Sequence, residues 1–153
     1  SRSNGTRVCS VGSTRRTPAL YPALLERARQ AFRHAHAPHS RFRVGAALLA
    51  ANGRVYTGCN VESTSYGLTI CAERNAIFKA VSEGERTFKA IAVVSEGGGN
   101  TPPCGACRQV LWDLAGNIDI IMSRPGGSLE IIPLKELLPQ AFSAKNLQLA
   151  RKK

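Results

Sequence analysis

The chain has 153 residues, of which 43% are hydrophobic, and it carries a formal net charge of +11 at pH 7. This length fits a single globular domain, and no apolar run approaches the roughly 18 residues that a membrane-spanning helix needs. The composition therefore predicts one soluble domain and argues against a membrane protein.

The positive charge is concentrated at the two ends of the chain. The first 50 residues hold nine arginines and one glutamate, and the last eleven hold four basic residues and no acidic one. Residues 51–142 are nearly neutral, with eight basic and nine acidic side chains. Because a groove that follows a nucleic acid backbone needs clustered lysine and arginine, we expect a small-molecule ligand and no nucleic acid polymer in this middle region.

The two ends are predicted to be tails. Residues 1–17 lack apolar periodicity, and we expect them to be disordered. They are rich in arginine and serine, as transit peptides are, but they have no amphipathic face, which favours a simple basic tail over a targeting sequence. Residues 143–153 are interpreted as a second basic tail, so residues 18–142 form the predicted domain.

Hydrophobic periodicity predicts a mixed α/β order along this domain. The predicted elements are a helix at 20–35, strands at 42–50 and 54–61 joined by the Asn52-Gly53 turn, a helix that begins at Cys71, a buried strand at 90–94, a helix at 104–116, strands at 118–122 and 129–132, and a short helix at 134–138. This order predicts a mixed five-stranded sheet with helices on both faces.

Three of the five cysteines lie at predicted helix starts. Cys71 opens one helix, and Cys104 and Cys107 are three residues apart at the start of another, on one helical face. The unpaired N–H groups and the dipole of a first turn favour thiolates. The pattern predicts one metal ion held by three sulfur atoms, with the fourth position open for water as in a catalytic zinc site. No fourth ligand is evident, because Cys9 lies in the tail and Cys59 in a strand.

Glu73 and Arg74 follow Cys71 in the same predicted helical turn. Glu73 is poorly placed to bind the same ion, but side chains of a first turn lean toward the helix N-terminus. Its carboxylate is therefore expected beside the water, as a general acid and base. Three thiolates leave a zinc centre with a net charge of −1, so Arg74 is expected to donate hydrogen bonds to the sulfur atoms.

Four sequence blocks resemble the cytidine deaminase family, specifically its small homotetrameric three-cysteine branch. They are FRVGAAL at 42–48, GCNVE at 58–62, CAER at 71–74 and PCGACRQV at 103–110, and the likeness runs from about residue 21 to 142. The resemblance implies a three-layer α/β/α sandwich. It also implies one zinc ion per chain with a bound water or hydroxide, and hydrolysis of cytidine and 2′-deoxycytidine to uridine and 2′-deoxyuridine plus ammonia, in pyrimidine salvage.

The resemblance further implies the residues that bind a nucleoside. Asn60 and Glu62 alternate with Val61, so they share one face of a strand, and the family places its sugar-binding asparagine and glutamate here. Phe42 corresponds to an aromatic residue of the pocket, and the backbone of Ala72 corresponds to a contact with the base.

Two more residues are implied to lie where subunits meet. Tyr66 falls in the region that lines the pocket and neighbouring subunits in the family. Phe142 matches an aromatic residue that reaches the base bound by a neighbouring subunit, although Ala144-Lys145-Asn146 replaces an acidic, proline-containing stretch that is common there. A homotetramer with active sites at subunit interfaces is therefore expected.

Three alternatives stay open. A deaminase of an antibiotic cytosine nucleoside such as blasticidin S would share the zinc blocks, although the Asn60-Val61-Glu62 segment favours an ordinary nucleoside. A deaminase of single-stranded nucleic acid usually has histidine as one zinc ligand, where this chain has Cys71. A structural zinc module would fill the fourth position with a protein ligand and would not need Glu73. The odd number of cysteines argues against a disulfide framework and favours a reducing compartment, so we expect a cytoplasmic protein.

Overall fold

A computed structural model of the chain describes residues 18–151. Its elements are α1 (Leu20–Phe32), β1 (Val44–Ala50), β2 (Val55–Cys59), α2 (Ala72–Ser82), β3 (Phe88–Ser95), α3 (Gly105–Ala115), β4 (Asp119–Ser123), β5 (Leu129–Pro133), α4 (Leu134–Leu137) and α5 (Ala144–Arg151). The first nine confirm the predicted order. The structure adds α5 in the segment interpreted as a tail, whereas the predicted tail at 1–17 lies outside the described residues.

The five strands form one mixed sheet in the order β2-β1-β3-β4-β5. Strands β3 and β4 are parallel and are connected through α3, and the other neighbouring pairs are antiparallel. The sheet confirms the predicted fold class. None of the helices in the described part of the chain is long and apolar enough to cross a bilayer.

Strand β1 is buried, and its side chains alternate between two cores. Ala46, Leu48 and Ala50 pack in a cluster with residues of α2 and α3, whereas Ala47 and Leu49 pack in a cluster with residues of α1. Helix α1 therefore covers one face of the sheet, and α2 and α3 cover the other. This arrangement confirms the three-layer α/β/α sandwich.

Strands β1 and β2 are shorter than predicted at the open end of their hairpin, where β1 begins and β2 ends. The sequence predicted a strand from Phe42 and another as far as Val61, but β1 begins at Val44 and β2 ends at Cys59. Arg41 has a φ of 56°, a left-handed conformation that a strand does not contain. Phe42 therefore lies in a turn before β1.

Glycine at position 58 allows α2 to pack closely on β2. A Cβ atom there would overlap the Ala72 carbonyl oxygen and would lie 2.6 Å from the Ala76 backbone nitrogen. Both atoms belong to the helix backbone, which cannot move aside as a side chain can. Gly58 thus sets the distance between the sheet and the helix that begins beside Cys71.

Replacing this glycine is expected to displace α2. Gly58→Ala should lower the free energy of unfolding by about 3 kcal/mol, because the added methyl group overpacks a backbone contact. Denaturant unfolding of the variant and of Gly99→Ala measures the difference. Gly99 is the control because its added methyl group would meet open space; equal stability of the two variants would contradict the close-packing argument.

Candidate metal and substrate site

The three predicted metal-binding cysteines lie at the starts of two neighbouring helices. Cys71 is the N-cap of α2, Cys104 is the N-cap of α3, and Cys107 lies in the first turn of α3. Helices α2 and α3 lie on the same face of the sheet and contact each other. Their N-terminal ends therefore bring the three sulfur atoms together, as the sequence predicted.

The sulfur atoms have the spacing that a tetrahedral zinc ion needs. The Sγ atoms of Cys71 and Cys104 are 3.8 Å apart, and those of Cys71, Cys104 and Cys107 all lie within 4.8 Å of one another. Two sulfur atoms each about 2.3 Å from one zinc ion at a tetrahedral angle are roughly 3.8 Å apart. The group contains no fourth histidine, cysteine or carboxylate among residues 18–151, which fits an ion with one open position.

The surroundings of Cys71 favour its thiolate. Its pKa is lowered to about 5, first by the neighbouring Cys107 thiol and also by the hydrogen bond that Arg74 donates. The Arg74 Nη2 atom lies 3.4 Å from the Cys71 Sγ atom. The pKa of Cys107 is raised, first by the neighbouring Cys71 sulfur and also by burial. A divalent cation can displace the thiol protons of such a cluster and hold the sulfur atoms as thiolates.

Arg74 is oriented by the sulfur cluster. Its pKa is raised, first by the hydrogen bond to Cys71 and further by Cys107. Its Nε atom is buried and has no hydrogen-bond partner among the described residues. A guanidinium group held against a cysteine cluster can compensate negative charge on the sulfur atoms. The structure places Arg74 against Cys71, and its role toward the metal stays a prediction.

Glu73 is a buried carboxyl group beside the cysteines. Its side chain lies in the first turn of α2 and only 4% of the residue is exposed. Burial raises its pKa to about 7, against a smaller opposing effect of its own backbone N–H group. A carboxyl group that is neither always ionised nor always protonated near neutral pH can both accept and donate a proton.

The segment that contains Asn60 and Glu62 lies beside the start of α2. Val61 exchanges two backbone hydrogen bonds with Ile70, at 3.0 and 3.1 Å, and Ile70 directly precedes Cys71. The segment lies outside β2, and along it Asn60 is buried, Val61 is exposed and Glu62 is half-buried. The two predicted sugar-binding residues therefore flank a residue that is hydrogen-bonded to the neighbour of Cys71.

Asn60 makes contacts that the sequence did not predict. Its Oδ1 atom accepts a hydrogen bond of 2.8 Å from the Val44 N–H group, and its Nδ2 atom donates one of 2.8 Å to the Phe42 carbonyl oxygen. The residue is only 8% exposed. The amide thus holds the backbone on both sides of residue 43 and still keeps one donor and one lone pair free for a ligand.

Glu62 lies in a cavity of about 380 Å³ lined by His39, Ser40, Tyr66 and Thr69. Its carboxylate accepts hydrogen bonds from the His39 N–H group at 2.8 Å, from the Ser40 N–H group at 3.2 Å and from the Ser40 hydroxyl group. The Ser40 hydroxyl is the main reason that the pKa of Glu62 is lowered. The sequence analysis did not single out Ser40. The only sequence signal for it is its position two residues before Phe42, which opens one of the four family blocks.

The remaining predicted residues divide into one buried and three exposed ones. Ala72 is fully buried at the start of α2 and belongs to the core cluster between α2 and the sheet, and its predicted contact with the base stays a prediction. Phe42 is exposed, Tyr66 is 74% exposed and Phe142 is 58% exposed. Phe142 lies in a different cavity, beside Trp112.

A mixed sheet that carries three cysteines and a buried glutamate at adjoining helix starts defines the class of zinc-dependent deaminases. The chain belongs to the cytidine and deoxycytidylate deaminase family, whose zinc-binding region matches residues 20–122.

Individual cytidine deaminases are similar to this chain over most of its length. A cytidine deaminase from Sporosarcina psychrophila is 46% identical over 83% of this chain and 94% of its own length. One from Halalkalibacterium halodurans is 49% identical over 81% of this chain and 95% of its own. The crystal structure of cytidine deaminase from Burkholderia pseudomallei matches with a TM-score of 0.76 at 46% identity, over 80% of this chain and 98% of that one.

Loss of one cysteine of the cluster should abolish metal binding. Cys104→Ala is expected to reduce zinc from about one ion per chain to less than about 0.1 after dialysis, because two sulfur ligands hold the ion too weakly. Elemental analysis of purified protein measures the content. Cys59→Ala is the matched control, since Cys59 is a cysteine outside the cluster; full zinc content in Cys104→Ala would contradict the assigned site.

Proposed function

We propose that the protein hydrolyses cytidine and 2′-deoxycytidine to uridine and 2′-deoxyuridine with release of ammonia. The observation that carries this proposal is the buried carboxyl group of Glu73 in the same helical turn as a cluster of three thiols. The relatives named cytidine deaminase, at 43–49% identity, support the substrate.

Cys71, Cys104 and Cys107 would hold one zinc ion per chain, which their sulfur spacing fits. When bound, zinc supplies an acidified water as the nucleophile. Arg74 donates a hydrogen bond to the Cys71 sulfur and so offsets the charge of the thiolate cluster. That withdrawal of charge from the ligands keeps the centre electrophilic.

Glu73 moves the protons of the reaction. Water adds to C4 of cytosine, the bond between C4 and the amino nitrogen breaks, and the amino group leaves as ammonia. The Glu73 carboxylate takes a proton from the water and gives it to N3. It then takes the proton of the new C4 hydroxyl group and delivers it to the departing nitrogen, which leaves a carbonyl group at C4. Its burial keeps bulk water away from these transfers and holds its pKa near the pH at which it must work.

Recognition of the nucleoside falls to residues around the start of α2. Glu62, as an ionised carboxylate in the cavity, accepts hydrogen bonds from sugar hydroxyl groups. Asn60 contributes the free half of its amide and holds the turn of Phe42, which packs against the nucleoside. The backbone of Ala72 contacts the base.

The active assembly is a homotetramer with sites at the subunit interfaces. Exposed apolar side chains support this: Tyr66 lines the Glu62 cavity, and Phe142 lines the cavity beside Trp112 of α3. Phe42 and Leu68 are also exposed, and they are close in sequence to the cavity residues Ser40 and Thr69. A contiguous patch of exposed apolar side chains often marks a protein contact. Phe142 would then complete the site of a neighbouring subunit.

The reaction belongs to pyrimidine salvage in the cytoplasm. A centre made of three cysteine thiolates needs a reducing environment, because oxidation to a disulfide would remove two of the ligands. The Sγ atoms of Cys71 and Cys104 lie close enough that reduction has to be maintained.

Removal of the Glu73 carboxylate should stop turnover and leave the metal in place. Glu73→Gln is expected to lower kcat for cytidine by about 10³-fold at unchanged zinc content, since an amide cannot accept the proton. Ammonia release and zinc are measured on the same samples. Glu83→Gln is the control, because Glu83 is an exposed glutamate at the other end of α2.

Two results would contradict this assignment in different ways. A near-normal rate in Glu73→Gln would remove Glu73 from its role as acid and base. A zinc-loaded wild type that releases no ammonia from cytidine would point to another cytosine nucleoside, and blasticidin S would be the first to test.

A contribution of Phe142 in trans can be detected by mixing variants. Glu73→Gln and Phe142→Ala should each be poorly active, but mixed tetramers will contain sites with an intact Glu73 and an intact neighbouring Phe142. After subunit exchange, we expect an activity well above the sum of the activities of the two separate proteins. Ammonia release measures the activity, and sedimentation checks that the mixed proteins are tetramers. In the control mixture, Leu149→Ala, at another exposed apolar residue of the same region, replaces Phe142→Ala. If the mixture with Phe142→Ala shows only the summed activity of its two proteins, the trans contact is contradicted.

A further inference from the structure

Ser40 connects two residues that are assigned to nucleoside binding. Its hydroxyl group donates a hydrogen bond to the Glu62 carboxylate, and the same oxygen accepts the N–H group of Phe42 at 3.0 Å. The backbone N–H group of Ser40 donates to the same carboxylate at 3.2 Å. One side chain therefore links the carboxylate of the cavity to the backbone of the aromatic residue.

The turn between Ser40 and Phe42 is strained. Arg41 has a φ of 56°, which is unusual for a residue with a long side chain. A conformation of this kind is unfavourable and persists only where the surroundings hold it. Here the Arg41 N–H group donates to the Ala37 carbonyl oxygen at 3.0 Å, and Asn60 holds the Phe42 carbonyl oxygen.

The turn before β1 is held by Asn60 and Glu62, the two residues on either side of Val61. Glu62 holds the N–H side of Phe42 through Ser40, and Asn60 holds its carbonyl side. The turn is thus clamped to the short segment that is hydrogen-bonded beside the start of α2. The Phe42 side chain projects from a backbone whose two polar groups are both engaged.

We propose that Ser40 is a positioning residue for nucleoside binding, which fixes the Glu62 carboxylate and the Phe42 backbone as one unit. This inference rests on the proposed function. Ser40 acts through Glu62 and Phe42 and has no part in the proton transfers, so its loss changes affinity and leaves the chemical step intact. The lowered pKa of Glu62, which has the Ser40 hydroxyl as its main cause, agrees with a carboxylate kept ionised for sugar hydroxyl groups.

The first test is Ser40→Ala in the full chain. KM for cytidine and the dissociation constant of uridine, measured by calorimetry, should both rise about tenfold, the effect of losing a hydrogen bond to a charged group. We expect kcat and zinc content to stay near those of wild type and the thermal midpoint to fall by only a few degrees. Ser40→Thr, which keeps a hydroxyl group, should recover most of the affinity, and Ser128→Ala, at an exposed serine between β4 and β5, should change nothing.

A double-mutant cycle tests the connection itself. In a Glu62→Ala background, Ser40→Ala should raise KM less than about twofold further, because residues that act through one contact are not additive. An undiminished tenfold effect in that background, or unchanged KM and uridine affinity in Ser40→Ala alone, would overturn the role of Ser40. Failure of the proposed function gives a different result, since the zinc-loaded wild type would then neither deaminate cytidine nor bind uridine.

Discussion

The close approach of α2 to β2 is the constraint on which the site depends. Gly58 lets the backbone at Ala72 and Ala76 lie against the strand, where any side chain would push the helix away. Cys71 lies at the start of that helix, and its Sγ atom is thereby brought to 3.8 Å from the Sγ atom of Cys104 at the start of α3. Two separate helix starts become one cluster because both helices pack on the same face of a single sheet.

Charge is the second constraint on the centre. Three sulfur atoms and a carboxyl group lie together, and four negative charges in one place would repel each other strongly. Arg74 supplies one positive charge by direct contact with Cys71, and the burial of Glu73 disfavours its ionised form. The helix N-termini add their dipoles to the same effect. The site is thus arranged so that thiolate character falls on the sulfur atoms and a proton stays available on the carboxyl group.

Much of the fold followed from local patterns. Alternating and helical periodicity placed nine elements in the correct order, and the Asn52-Gly53 turn marked the first hairpin correctly. Prediction failed where contacts distant in sequence overrode periodicity. The strand predicted from Phe42 begins only at Val44, because Phe42 directly follows the left-handed residue Arg41 and its carbonyl oxygen is held by the side chain of Asn60, 18 residues further on. Helix α5 was missed because its composition resembles that of a solvated tail.

The sequence alone determined the donor set and its position on the elements. Spacing is a local property, so the order of residues was enough to assign three cysteines, Glu73 and Arg74 to helix starts. Only the tertiary structure decided which side chains serve one another. That Ser40 holds Glu62 across 22 residues depends on how the turn before β1 packs on the segment after β2. Such contacts are set by the packing of distant segments, and no periodicity in the sequence records them.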